Sequence, residues 1–161
     1  MVAIQQTNDL ELQIDRYEGT TGNIRLYLPP AYIFRVKTVL RTIGHCAPIA
    51  SAIIETHTQA IRYREGNSNA LNGTTYLGDF SLNEGPMHIA IDLAHEAHHL
   101  RQRARGIPYS PFEEDLCHNA EFDLLEELGP KFMDHMRLGF IPTRDAWLGF
   151  RYMTQEMERL E

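Results

Sequence analysis

Residues His95-Glu96-Ala97-His98-His99 place two histidines four positions apart with a glutamate directly after the first. On a helix, side chains four apart share a face, so both imidazoles can reach one metal ion. Glu96 is displaced around the helix, where it can act as a base on a water instead of filling a ligand position. Catalytic zinc takes three protein ligands and keeps a fourth position open. The pattern therefore asks for one more ligand, and the helix expected over 111–128 is the place to look. There Leu116, Cys117, Ala120, Leu124, Leu125 and Leu128 mark an apolar stripe, and Glu121 lies inside it in mid-helix. A buried carboxylate needs a cation or a strong donor. Glu121 is accordingly the predicted third ligand, with His118, at the stripe's edge, as second choice. Glu113 and Glu114 occupy the first helical turn, where a cap or helix-dipole role accounts for them.

The metal-binding pair must be carried by a well-defined helix, and the flanking residues predict one from Pro86 to about Arg105, closed by Gly106. Ile89, Ala90, Leu93, Ala94, Ala97 and Leu100 gather on one face of that helix; His88, Asp92, His95 and His99 gather on the other. Ser110-Pro111-Phe112-Glu113 has capping-box spacing for the next helix, which Gly129-Pro130 ends. A short helix around 131–138 and a last one from about Thr143 to Leu160 follow. Phe140, Trp147, Phe150 and Tyr152 read as core of this last part, although Tyr152 or His135 could reach the metal cleft.

The N-terminal half reads differently. Leu10, Leu12 and Ile14, then Ile24, Leu26 and Leu28, alternate on either side of a Gly-rich turn at 18–23, predicting a hairpin. Ile33, Val36, Val39, Leu40 and Ile43 have helical spacing, with Gly44 as a stop. Strand character returns over 50–82 in AIIETH, QAIRYRE and TTYLGDFSL. The expected fold is α+β: a small antiparallel or mixed sheet with one helix N-terminally, and a helical C-terminal half, in a single domain over 1–161.

The chain has 161 residues, 43% of them hydrophobic and 23% charged, enough to bury a core without staples. Two cysteines, Cys46 and Cys117, make no disulfide framework, and Cys46 in Gly44-His45-Cys46-Ala47 reads as a core thiol. No apolar run is long enough for a spanning helix and no signal peptide is evident, so the expected location is cytoplasmic, or exported without a cleaved signal. Residues 1–80 carry seven acids and seven bases, whereas 81–161 carry fifteen and eight, so the net charge of −7 is C-terminal. That balance argues against phosphate-backbone binding as the main activity. The expected partner is a peptide or protein, with neither nucleic acid nor membrane. Arg101, Arg103 and Arg105 read as a solvated basic helix end.

Taken together, His95, Glu96, His99 and Glu121 resemble the gluzincin class of zinc metallopeptidases, in which H-E-x-x-H is completed by a glutamate on a later helix. The resemblance covers residues 76–128, with 21 residues between His99 and Glu121. The short spacing is similar to that of minimal gluzincins and of the small domains of regulatory metallopeptidases, and the resemblance implies a zincin-like fold, bound Zn2+ and peptide-bond hydrolysis with Glu96 as general base. Gluzincins often carry an Asp four residues after the ligand Glu; here that position is Leu125. The outer partner of the first histidine is thus open among Asp92, Asp123 and a backbone carbonyl. The resemblance also implies that the strand before the metal helix, Thr75 to Ser81, lines the cleft. Tyr76 and Gly78 would then be substrate-binding, Gly78 by admitting a peptide backbone; the alternative is a half-buried edge strand. Two other functions stand beside hydrolysis. One is a binding or regulatory module with a closed structural zinc site and His118 as fourth ligand. The other is a deformylase-like amide hydrolase, which needs a ligand cysteine that the surroundings of Cys46 do not match.

Overall fold

The computed structural model describes residues 11–129 and 143–160. Strands β1 (Gln13–Glu18) and β2 (Asn23–Leu28) form an antiparallel hairpin. Helices α1 (Pro30–Cys46) and α2 (Pro48–His57) then lead to β3 (Ala60–Arg64), which pairs parallel with β2. Strand β4 (Asn69–Leu71) turns back antiparallel into β5 (Thr74–Gly78), and β5 inserts beside β3. The result is a mixed five-stranded sheet in the order β1-β2-β3-β5-β4. Helices α3 (Asp79–Glu84), α4 (Pro86–Ala104), α5 (Glu113–Leu128) and α6 (Arg144–Leu160) complete the α+β architecture. No helix among the described residues is long and apolar enough to cross a membrane. The helix expected at 131–138, with His135 and Phe140, lies outside the described residues.

One face of the sheet holds the core. Ile24, Leu26, Leu28, Ile61 and Leu77 are fully buried and pack against Val36, Val39, Leu40 and Ile43 of α1 and Ile89, Leu93 and Ala97 of α4. The helix faces read from the sequence are therefore those that pack. Four local expectations change. Leu12 and Ile14 are exposed, and β1 turns only Tyr17 inward, because its alternation runs from Tyr17 backwards, not from Leu10 forwards. Gly44 does not stop α1; Ala47 and Pro48 do, since proline cannot continue a helix and suits the first position of α2. AIIETH forms α2 instead of a strand, so the N-terminal half contains more than one helix. Its inward residues are Ser51, Ile54 and Glu55, a helical spacing, and the buried Glu55 carboxylate accepts the Thr21 N–H at 3.0 Å. The stretch 79–82 is likewise α3: Leu82 is buried while Phe80 is exposed, and the Asp79 carboxylate accepts the Gly66 N–H at 2.7 Å.

Candidate metal centre

Helix α4 begins with Pro86 at its first position and ends at Ala104, and Gly106 just beyond it has a φ of +74°, the left-handed conformation that glycine adopts without steric cost. This frame sets His95 and His99 one turn apart with ring centroids 5.0 Å apart. Helix α5 packs across them, and the two Nε2 atoms converge on a single carboxylate, that of Glu114. His95 Nε2 lies 3.2 Å from one of its oxygens and His99 Nε2 lies 3.1 Å from the other. The opposite ring nitrogens are also engaged. His95 Nδ1 faces Glu121 Oε1 at 2.7 Å, and His99 Nδ1 bonds the buried Glu113 carboxylate, which also receives Arg103. Glu113 is thus drawn away from a capping box, and α5 starts at Glu113 with no side-chain cap. Arg103, expected to be solvated, serves as its counter-ion.

Glu121 has no exposure, as its place in the stripe predicts, but the stripe itself is rotated. Leu116 is 48% exposed, while His118 and Phe122 are buried. The Glu121 carboxylate sits on the far side of His95 from the convergence point. It accepts from His118 Nδ1 at 3.2 Å and Trp147 Nε1 at 3.0 Å, and lies 3.1 Å from Arg151 Nε. Burial would raise its pKa, yet these donors and charges hold it down at about 2. Burial likewise opposes a charged His95, but the Glu114 and Glu121 carboxylates outweigh it and raise the pKa to about 10. His99 is raised in the same way, against burial, by Glu114 and Glu113. The two imidazoles in turn hold Glu114 well below the carboxylate range.

Glu96 is 6% exposed and makes no hydrogen bond or ion pair among the described residues. Burial pushes its pKa up to about 7, against the pull of His95 and His99. Its helix neighbour Asp92 accepts from Ser68 Oγ at 2.5 Å and from Ser81 Oγ, clamping the approach to β4 and the start of α3 onto α4. Asp92 is therefore committed elsewhere, and Asp123 pairs with Arg144 at 2.6 Å. Neither is the partner of a histidine; Glu121 and Glu113 are.

The expected substrate strand is arranged differently. Strand β5 is paired on both sides, by β3 and β4, so the edge of the sheet is β4. Tyr76 alternates with the buried Thr75 and Leu77 and stands on the sheet face opposite the helices. A Cβ on Gly78 would meet the Gly66 carbonyl oxygen at 2.0 Å. Gly78 thus admits the chain's own Gly66–Asn67 loop, and a peptide backbone has no room there.

Three groups near the centre were not legible as members of it. Glu114 points toward the side of Glu121 in the helical pattern, but its first-turn position gave it a cap or dipole role. Tyr109, 60% exposed, has its ring 6.1 Å from that of His99. The thiol of Cys117 lies with the His95 and His99 nitrogens inside a 4.8 Å group and is pushed up by burial and by Glu114 and Glu113. The thiol within reach of the histidines is therefore Cys117 and not Cys46, which packs against the main core. His95, His118 and Glu121 form a second group of similar size. Tyr152 meets the ring of His118, 6.2 Å away, and Trp147 is buried as expected. No family model, curated protein or solved structure matches the chain.

Proposed function

We propose that the chain is a zinc-dependent peptide-bond hydrolase of gluzincin type, with His95, His99 and Glu114 as the metal ligands and Glu96 as the general base. One observation carries the ligand assignment: both Nε2 atoms point at the same carboxylate, that of Glu114. The donor set fits zinc, two imidazoles and a carboxylate with a position to spare. Histidine ligands need their other nitrogen held by an acceptor, which fixes ring orientation and raises basicity. Glu121 and Glu113 supply that hold, so Glu121, the ligand expected from the sequence, takes the supporting role in this reading.

Zinc bound there would supply Lewis acidity toward a carbonyl oxygen and activate water near neutral pH. In this reading Glu96, which has no hydrogen-bond or ion-pair partner among the described residues, takes the proton of an attacking water and delivers it to the leaving amine. A pKa near 7 suits both transfers. Tyr109 stands beside His99 at the exposed side of the centre, where its hydroxyl can donate to a developing oxyanion.

A second reading is favoured by Cys117. His95, His99 and the Cys117 thiolate form one possible ligand group; with Glu114, which faces both Nε2 atoms, as a fourth ligand it would close a structural site and leave no position for water. Glu96→Gln separates the two. The hydrolase reading expects full zinc content, an unchanged fold, and hydrolysis reduced by roughly two to four orders of magnitude. The assay is cleavage of a mixed peptide library read by mass spectrometry, with and without chelator. Zinc-loaded wild type that cleaves nothing, in parallel with a Cys117→Ser variant that loses zinc, would establish the structural site instead.

A further inference from the structure

The sheet face opposite the helices carries a charge distribution that the net charge conceals. Inward residues of β2 are Ile24, Leu26 and Leu28, so Arg25 and Tyr27 point outward. Register extends this across the sheet: Arg16 lies directly opposite Arg25, and Ile14, Tyr27, Arg62 and Tyr76 form one row. Arg64 follows Arg62 on the same face. Four of the chain's fifteen basic residues therefore stand together on a face whose strands contribute Glu18 as their acid.

Cross-strand like charges destabilise a sheet unless compensated. Among the described residues none of these four arginines forms an ion pair. Three of the seven acids in residues 1–80 are used elsewhere: Asp15 on Lys37, Glu55 on the Thr21 amide, Asp79 on the Gly66 amide. The face also offers flat surface. The Arg62 guanidinium lies 4.0 Å above the Tyr27 ring and covers that face of it, so the guanidinium plane itself and Tyr76, on the other side of Arg62, are the flat surfaces presented. Beside the Arg16–Arg25 pair a cleft of about 600 Å³ opens, lined by the polar side chains of Thr21, Asn23, Thr58 and Gln59 and by Glu55, whose carboxylate accepts the Thr21 N–H. The Thr58 hydroxyl is buried and has no hydrogen-bond partner among the described residues.

We propose that this face binds single-stranded nucleic acid. Arginine forks match phosphate oxygens, and their positions on adjacent strands, about 5–8 Å apart, suit successive phosphates of one strand. The Arg62 guanidinium plane and Tyr76 give bases a stacking surface, which an acidic peptide would not need. The amide-rich cleft can bond an unpaired base edge. The chain's net charge of −7 does not oppose this, because the excess acid lies in the C-terminal half while all four arginines lie before residue 65. The surface is independent of the metal centre.

The test is fluorescence anisotropy of a labelled 15-residue oligothymidylate titrated with the full chain at several salt concentrations. With three to four phosphates neutralised, log K should fall against log salt with a slope of about −2 to −3. The double variant Arg16→Gln/Arg25→Gln should lose affinity and flatten that slope by about 1.4. Tyr76→Leu should weaken binding roughly tenfold without changing the slope, and a duplex of the same length should bind more weakly than the single strand. Arg105→Gln, at the exposed end of α4, should change nothing. Unaltered melting and zinc content in each variant show that the fold is kept. The proposal is overturned by any of three results: no anisotropy change up to about 100 μM protein; equal losses with Arg105→Gln; or polyglutamate displacing the probe better than unlabelled oligothymidylate, which would assign the face to an acidic protein.

Discussion

Replacing Glu114 and Glu121 one at a time by glutamine separates a metal ligand from the residue that holds one. Four-ligand zinc sites bind with about 10–16 kcal/mol, or roughly 3 kcal/mol per ligand, which is more than a hundredfold in affinity. Loss of an outer partner costs about 10–100-fold. Glu114 faces both Nε2 atoms, so Glu114→Gln should cost the larger factor in zinc affinity. Glu121 faces Nδ1 of His95, has no exposure, and gathers His118, Trp147 and Arg151 around it. Removing a buried charge from its partners costs about 3–5 kcal/mol. At about 2–4 °C per kcal/mol for a chain of this size, Glu121→Gln should lower the Tm of the metal-free protein by about 10 °C. Its zinc affinity should fall by the smaller factor. The measurements are competition against a chromogenic chelator and a thermal melt in excess chelator. If Glu121→Gln abolishes zinc binding while Glu114→Gln binds like wild type, the ligand is Glu121 and the argument from Nε2 convergence is wrong.

Zinc uptake should release at least about one proton at pH 7, because a pKa of about 10 keeps the His95 imidazole protonated until the metal displaces its proton. Calorimetry in buffers of different ionisation enthalpy measures this, and a release near zero would contradict it. The metal-free protein should be most stable near pH 5–6. The raised His95 contributes fully below its unfolded value of 6.5 and its contribution is lost as pH rises through about 10; the lowered Glu121 contributes above its unfolded value of 4.5 and is lost as pH falls through about 2. A melting temperature that climbs steadily from pH 6 to 10 would refute that assignment. Gly78→Ala should destabilise by about 1–3 kcal/mol through the clash with the Gly66 carbonyl, while metal affinity stays unchanged. An unchanged Tm in that variant would mean the loop moves freely aside.

Much of the candidate metal centre was legible because its signal is local. The i, i+4 geometry of His95 and His99, the capping residues of α4 and the face opposite its apolar stripe all follow from backbone periodicity within one helix. So did the burial of Glu121, since an acid inside an apolar stripe must be enclosed. The two hairpin segments and the amphipathic faces of α1 and α4 were readable for the same reason. Segments whose local signal was double-edged were not: AIIETH is rich in β-branched residues, yet Pro48 and the inward spacing of Ser51, Ile54 and Glu55 make it helical.

What tertiary structure decided is which atom meets which. The rotation of α5 against α4 cannot be read from either sequence segment, and it alone puts Glu114 on the Nε2 side and Glu121 on the Nδ1 side of His95. Likewise, the insertion of β5 between β3 and β4 moved the sheet edge away from the strand expected to have it, and turned Tyr76 away from the helices. Composition reported balanced charge over residues 1–80; strand register, pairing Arg16 with Arg25 and aligning Tyr27 with Arg62, concentrated the bases on one face. Residue types and spacing determine which chemistry is available within one element, because they act through short-range periodicity. Ligand choice, edge and surface charge arise from how elements are packed, and those relations join residues tens of positions apart.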